Sequence, residues 1–327
     1  MNIAIVGAGI AGSSAGRSLV DQGHTVTLLD KGRGAGGRCS SRLRDDLSFD
    51  YGAQYFTARD PRFNDVIRSL AQQGFVSNWE CRSGVLGTSD FHDIRPSVAR
   101  WVGFPTMNRL VKGLQQGLDV HYGQTITELQ KSPQGWSLLA SEQTFGPFDS
   151  VLLTAPAPQA QTLLQPHVPE MAEQLNAVAY EPCLVAMAQL HQPSGLAFDA
   201  ATVKDIEDGL GFVGRDSSKP GRAHTPEHWV LHSSVPWAQQ HLEDPVSQVA
   251  SKLWQAFCKR TRISTDLLDQ LSGHRWRYAR VSAPLGRPYL WDARQRLGWA
   301  GDGAMGPRLE SAFVSAISLI QVIDAAP

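Results

Sequence analysis

The sequence has little of what would assign it to several common functional classes. Only four of its 327 residues are cysteine (Cys39, Cys81, Cys183 and Cys258), and no two form a CxxC pair. That excludes a disulfide framework and a thiolate metal site and predicts reduced thiols. An excess of one charge is also lacking. Lys and Arg number 30 against 31 Asp and Glu, for a net charge of −1 and a pI of about 6.8. There is no basic stripe for nucleic acid and no polybasic anchor for a membrane surface. No apolar run approaches the ~18 residues of a membrane span, and the N-terminus lacks the charged region and cleavage site of a signal peptide. A cytoplasmic protein is expected. His224, His228 and His232 recur at the spacing of one helix face. However, Pro226 interrupts them and residues 229–235 read as a strand, so no metal site is predicted. Internal repeats and low-complexity segments are absent. With 42% hydrophobic and 19% charged residues, the chain has the composition of an ordinary globular protein and the length for roughly two domains.

The first 38 residues carry the strongest pattern. Residues 2–6 form a short apolar run expected to be a buried parallel strand. Gly7-Ala8-Gly9-Ile10-Ala11-Gly12 follows at once, then a helix over 13–22, a C-capping Gly23 and a second strand over 24–30. In this strand–GxGxxG–helix–strand order Gly7 permits the tight turn, Gly9 lets a pyrophosphate approach the backbone, and Gly12 lets helix and strand pack closely. The helix N-terminus offers free N–H groups and a partial positive charge to the anion. Asp30, at the end of the second strand, is placed to accept bonds from both ribose hydroxyls. A glycine turn used only for packing is the structural alternative, and the motif alone does not separate FAD from NAD.

Lys31-Gly-Arg-Gly-Ala-Gly-Gly37-Arg38 resembles the segment that wraps FAD in the flavin-dependent amine oxidase superfamily. The resemblance implies that the Gly37 backbone and the Arg38 guanidinium meet the pyrophosphate, a pairing that bidentate phosphate recognition favours. Asp50-Tyr51-Gly52-Ala53-Gln54-Tyr55 is similar to the "D-x-GAQY" run of renalase-like flavoproteins, which passes the flavin ring. Further on, helices are predicted over 61–72 and 104–116, and a strand pair over 119–129 and 135–141. The superfamily likeness brings the backbone near Ile126 to adenine and makes 148–156 a strand ending in a turn at Pro156. Helices over 159–168, 169–179 and 246–261 and strands over 182–189 and 229–235 are expected next, with 217–226 as the most mobile loop. Strands over 273–280 and 297–303 then precede a helix over 308–323. Gly301-Asp302 resembles the second FAD fingerprint, with Arg308 and Leu309 beside the flavin.

The expected fold is therefore α/β. A Rossmann-like FAD-binding domain (1–60, 105–160, 271–327) would hold an inserted, mainly antiparallel substrate domain (61–104, 161–270). Membership of the renalase-like group implies oxidation of 2- and 6-dihydro isomers of NAD(P) by hydride transfer to FAD N5, with O2 reoxidising the flavin to give H2O2. Covalent members of the superfamily attach the flavin through a Cys near the C-terminal helix; no Cys follows Cys258, so the resemblance implies non-covalent FAD. The last lysine, Lys259, lies inside a predicted helix, which leaves the amine-oxidase lysine unmatched. Substrate contacts are expected from Gln54, Tyr180, His232, Trp276 and Trp291, by ring stacking or carboxamide hydrogen bonds. Each also has an ordinary place in a core or a strand. Two other readings fit the same residues: an oxidase of a small amine or amino acid, with Arg277 or Arg280 clamping a carboxylate, and a non-catalytic flavin- or NAD-binding sensor. A monomer satisfies everything the sequence requires.

Overall fold

The computed structural model describes residues 1–88, 90–204 and 206–323. Asn2–Val6, buried at all but its first residue, takes an interior place in a six-stranded sheet. The order across that sheet is Tyr289–Asp292, Leu297–Ala300, Ser150–Leu153, Asn2–Val6, Thr25–Asp30 and Asp119–Tyr122. All neighbours are parallel except the first pair, which is an antiparallel edge. A parallel sheet needs both faces covered. On one face the helix Ile10–Asp21 packs through Ala11, Ala15 and Leu19 in a common core with Phe313, Ala316 and Ile320 of the helix Leu309–Ile323. On the other, Trp136, Leu164 and Trp299 belong to a second core. This core includes a small antiparallel sheet of Glu128–Ser132, Gly135–Leu139 and Thr144–Phe148.

A seven-stranded sheet forms the second part. Its order is Leu268–Ala283, Ala179–Leu190, His228–Ser233, Leu210–Arg215, Ala200–Val203, Ser83–Leu86 and Phe91–Asp93. The helix Val246–Thr261 covers one face, where Val249, Leu253 and Phe257 join Leu184, Trp229 and Leu231. The opposite face receives Leu47 and Phe49, which pack with Val185, Met187 and Val230. The sheet thus has a supporting face and a face turned toward the segment that enters Gly52-Ala53-Gln54.

Four expectations are corrected here. Residues 119–129 do not form one strand. Asp119–Tyr122 pairs with Thr25–Asp30, Gly123 turns the chain at φ +73°, and Glu128–Ser132 then pairs with Gly135–Leu139. The helix expected over 104–116 is confined to Asn108–Leu114. The loop 217–226 is anchored by side chains: Ser217, Lys219 and Arg222 are buried. Leu268–Ala283 is a single 16-residue strand of the seven-stranded sheet, so the boundary expected at 270/271 falls inside it. Residues 324–327, the end of the expected FAD-domain segment, lie outside the described residues.

Candidate functional site

The carboxyl ends of the central parallel strands meet the N-terminus of the first helix, where a dinucleotide binds in folds of this type. An added Cβ at Gly12 would stand 1.9 Å from the Gly7 carbonyl oxygen, and one at Gly7 (φ +104°) would stand 2.7 Å from Thr154 Oγ1. Both positions are closed to larger side chains by packing. Gly9 differs, since an added Cβ there meets nothing within 4 Å. No side chain caps the helix that starts at Ile10, which leaves its first turn to be capped by an anion. Asp30 accepts from Ala8 N–H and Gly32 N–H, one on each carboxylate oxygen, both at 2.6 Å. Gly123 N–H and Gln124 N–H donate to the Gly32 and Asp30 carbonyls at 2.8 Å, which brings the Ile126 segment beside that acid. Lys31 Nζ reaches Gln159 Oε1 at 3.1 Å, on the helix Ala157–Leu164 that Pro156 precedes.

The loop of the glycine pair closes onto this helix start. A Cβ at Gly37 would lie 3.6 Å from Gly9 Cα. Arg38 grips Asp302 in a fork, Nη1 and Nη2 each donating to one carboxylate oxygen at 2.6 Å across 264 residues of sequence. Burial opposes the Arg38 charge, but Asp302 outweighs it and the guanidinium pKa rises. Tyr180 stands against the same pair. Its hydroxyl accepts from Ala157 N–H at 3.1 Å, burial pushes its pKa up to about 12, and a Cβ at Gly303 would meet it at 2.4 Å. Ala53 N–H donates to the Arg38 carbonyl at 2.9 Å, and a Cβ at Gly52 would lie 2.0 Å from that oxygen. Residues 52 and 53 are therefore laid directly along the Arg38 loop.

Beyond this turn lies an aromatic group. Tyr51 stacks on Trp276 with ring centroids 5.3 Å apart, and His274 meets both rings edge-on at 4.6 and 4.5 Å. Trp276 Nε1–H donates to the Tyr51 carbonyl at 2.9 Å. His232 lies 6.1 Å from Phe212, which in turn neighbours Tyr55. Burial first, then the Lys219 ammonium, lower the His232 pKa to about 4, and its Nε2 has no hydrogen-bond partner. Burial and then Arg42 lower His274 to about 4 as well. Both imidazoles are neutral at pH 7.

Behind Gln54 lies a fully buried group of four charges. Lys219 Nζ donates to Asp50 Oδ2 at 3.1 Å, to Gln54 Oε1 at 3.2 Å and to Asp216. Arg222 donates to Asp50. Asp50 also accepts from Ser41 Oγ at 2.6 Å and Met107 N–H at 2.9 Å. Burial opposes its ionisation, but Lys219 and Arg222 prevail and hold its pKa at about 2.

Residues 5–70 match the NAD(P)-binding Rossmann-like domain family, and residues 91–305 match the flavin containing amine oxidoreductase family. The chain belongs to the latter. FAD is therefore the dinucleotide of this family member. The fold is similar to that of a candidate protoporphyrinogen oxidase from Exiguobacterium sp. 255-15 (TM-score 0.77, 15% identity, 100% of this chain and 99% of that one). It is also similar to that of cyclohexylamine oxidase from Brevibacterium oxydans IH-35A (TM-score 0.77, 11% identity, 99% and 98%). A 4,4'-diapophytoene desaturase of Staphylococcus aureus (strain Newman) is 40% identical over 77 residues, 20% of this chain and 15% of the desaturase. The match thus spans a small part of that relative's length.

The residues of this family member fit FAD. The open front of Gly9, the uncapped helix and the Gly37 loop form a backbone cradle for a pyrophosphate. Asp30 retains acceptor capacity beyond its two backbone bonds, as a carboxylate has about four lone-pair sites. Of the residues expected at the substrate, the structure brings His232 and Trp276 near Tyr51. Tyr180 stands instead at the Arg38–Asp302 pair. Trp291 lies apart, on the strand Tyr289–Asp292, with its indole over Gly298 in the core under the C-terminal helix. Gln54 is 5% exposed, and its amide nitrogen is spent on the Asp50 and Gly52 carbonyls, so it offers a substrate no free donor. Arg308 is exposed, whereas Glu310 is buried and accepts from Arg59 N–H and Asp60 N–H at 2.5 Å. Sequence reasoning missed the buried group. Its only trace was a set of three charges, Asp216, Lys219 and Arg222, each three residues apart in a segment rich in Ser, Pro and Gly.

Proposed function

We propose that this flavoprotein oxidises the 2- and 6-dihydro isomers of NAD(P) to NAD(P)+. The chemistry supplied by bound FAD is acceptance of a hydride at N5 and return of the electrons to dioxygen as hydrogen peroxide. The observation that carries the reading is the neutral aromatic and imidazole surface beside residues 51–55. With pKa values of about 4, His232 and His274 are weak proton acceptors at neutral pH, and Lys219 has all three N–H groups engaged. A dihydropyridine that loses hydride becomes an aromatic cation and needs no general base. The tasks left to Tyr51, His232 and Trp276 are to stack the nicotinamide ring, orient its carboxamide and exclude water. Arg38 and Asp302 hold the cofactor side of that arrangement.

An amine-oxidase reading is favoured by the fold likeness to cyclohexylamine oxidase and to putrescine oxidase bound to putrescine (TM-score 0.75, 11% identity). Against its amino-acid form, Arg277 is already paired with Glu243 and Arg280 with Glu181. Anaerobic mixing of the FAD-loaded protein with isomeric dihydro-NAD, ordinary 4-dihydro-NADH and a panel of amines tests the proposal. Rapid bleaching by the isomeric mixture alone is expected. Bleaching by an amine alone would overturn it.

A further inference from the structure

We propose that Lys219 is a positioning residue for the flavin, acting through Gln54 on the Asp50–Gln54 turn. This rests on the reading that residues 52–55 pass the flavin ring. An ammonium has three N–H groups, and Lys219 places them on three acceptors: Asp50, Asp216 and Gln54. Two of these belong to the turn, so the lysine bolts the 216–222 loop to it. Asp216 adds a second tie, since its Oδ2 accepts from Asp50 N–H at 3.1 Å. With Gln54 Oε1 held by Lys219, the amide nitrogen can face only one way. It donates to the Asp50 and Gly52 carbonyls and cinches the turn shut. From there Ala53 N–H continues to the Arg38 carbonyl at 2.9 Å. A charge with no accessible surface thus sets the angle at which Gly52 and Ala53 meet the Arg38 loop. Function needs such support, because a site is only as well placed as the groups that hold its lining.

The buried group is balanced, two carboxylates against two cations. Removing Lys219 alone would strand an uncompensated charge and confuse misfolding with mispositioning. The test therefore uses Lys219→Met combined with Asp216→Asn, and separately Gln54→Met, which touches no charge. Apoprotein of each is titrated with FAD by fluorescence, and the visible spectrum and midpoint potential of the loaded protein are recorded. Each variant is expected to keep a native circular dichroism spectrum. Each should also raise the FAD Kd about tenfold, as expected from loss of one hydrogen bond to a charged group. The triple variant should be no worse than the Lys219/Asp216 double, because loss of Lys219 already frees the Gln54 carboxamide. An FAD Kd within twofold of wild type in either variant, or effects that multiply in the triple, would overturn the proposal. Ala53→Leu separates it from the reading beneath it. If this change also leaves Kd, spectrum and potential unmoved, the segment does not pass the ring. If it alone perturbs them, the ring contact stands and the role of Lys219 falls.

Discussion

His232 shows how burial sets the chemistry of a single residue. Its imidazole is removed from water and faces the Lys219 ammonium, so the neutral form prevails and its pKa falls from 6.5 to about 4. The unfolded chain protonates near 6.5 and the folded chain only near 4. Between those values the unfolded state binds more protons, and stability rises with pH. The contribution is fully present above about pH 6.5 and is lost as pH falls toward 4. His274 has the same sign and window. A His232→Gln variant, which does not titrate, is expected to show a shallower fall in melting temperature between pH 6.5 and 4.5 than wild type. Parallel curves would mean that His232 is protonated in the folded protein at the same pH as in the unfolded one.

At the scale of an element, the first helix separates two uses of glycine that look alike in sequence. Gly12 is excluded from change by packing, since a methyl group there would overlap the Gly7 carbonyl. Gly9 has open space before it and an ordinary φ of −78°. Gly12→Ala is therefore expected to destabilise the apoprotein by about 1–3 kcal/mol through overpacking. Gly9→Ala should leave apoprotein melting unchanged while weakening FAD binding, because its methyl group fills the space a pyrophosphate needs. Equal melting of both apoproteins would refute the distinction. Elements of this kind were legible because local chemistry dictates them. Pro61–Gln72 begins at Asp60, whose carboxylate accepts from Arg62 and Phe63 N–H, and Val246–Thr261 presents Val249, Leu253 and Phe257 on one face. Over 119–129 the alternation of the sequence continues past Gly123, whose positive φ breaks the strand. The loop over 217–226 departs from expectation for another reason. Its composition is that of a solvated turn, and the carboxylate that draws it inward, Asp50, lies 166 residues before Asp216.

In the whole molecule, the two sheets are joined at the Arg38–Asp302 corner, where the cofactor is proposed to sit. Arg38 lies just beyond the second parallel strand and Asp302 just beyond Leu297–Ala300, and their ion pair spans the front of the parallel sheet. The long strand Leu268–Ala283 leaves the other sheet and at once ties to this point. Leu285 N–H and Gly286 N–H donate to the Gly303 and Ala304 carbonyls at 2.9 and 3.0 Å. Tyr180, at the start of the neighbouring strand, closes the same corner through Ala157. A ligand held, as proposed here, by Gly9, Gly37, Arg38 and Asp302 bonds across segments up to 293 residues apart in sequence, and its binding energy becomes stability of the whole. Linkage puts that gain at about 2.7 kcal/mol when FAD is a hundredfold above its Kd. Wild-type apoprotein should melt several degrees higher at that concentration and continue upward with the logarithm of added FAD. Asp302→Ala leaves Arg38 without its fork, so the variant apoprotein should melt lower and gain less from the same FAD concentration. An equal gain in the two proteins would mean that Asp302 holds only Arg38, and that the cofactor is gripped from the N-terminal segment alone.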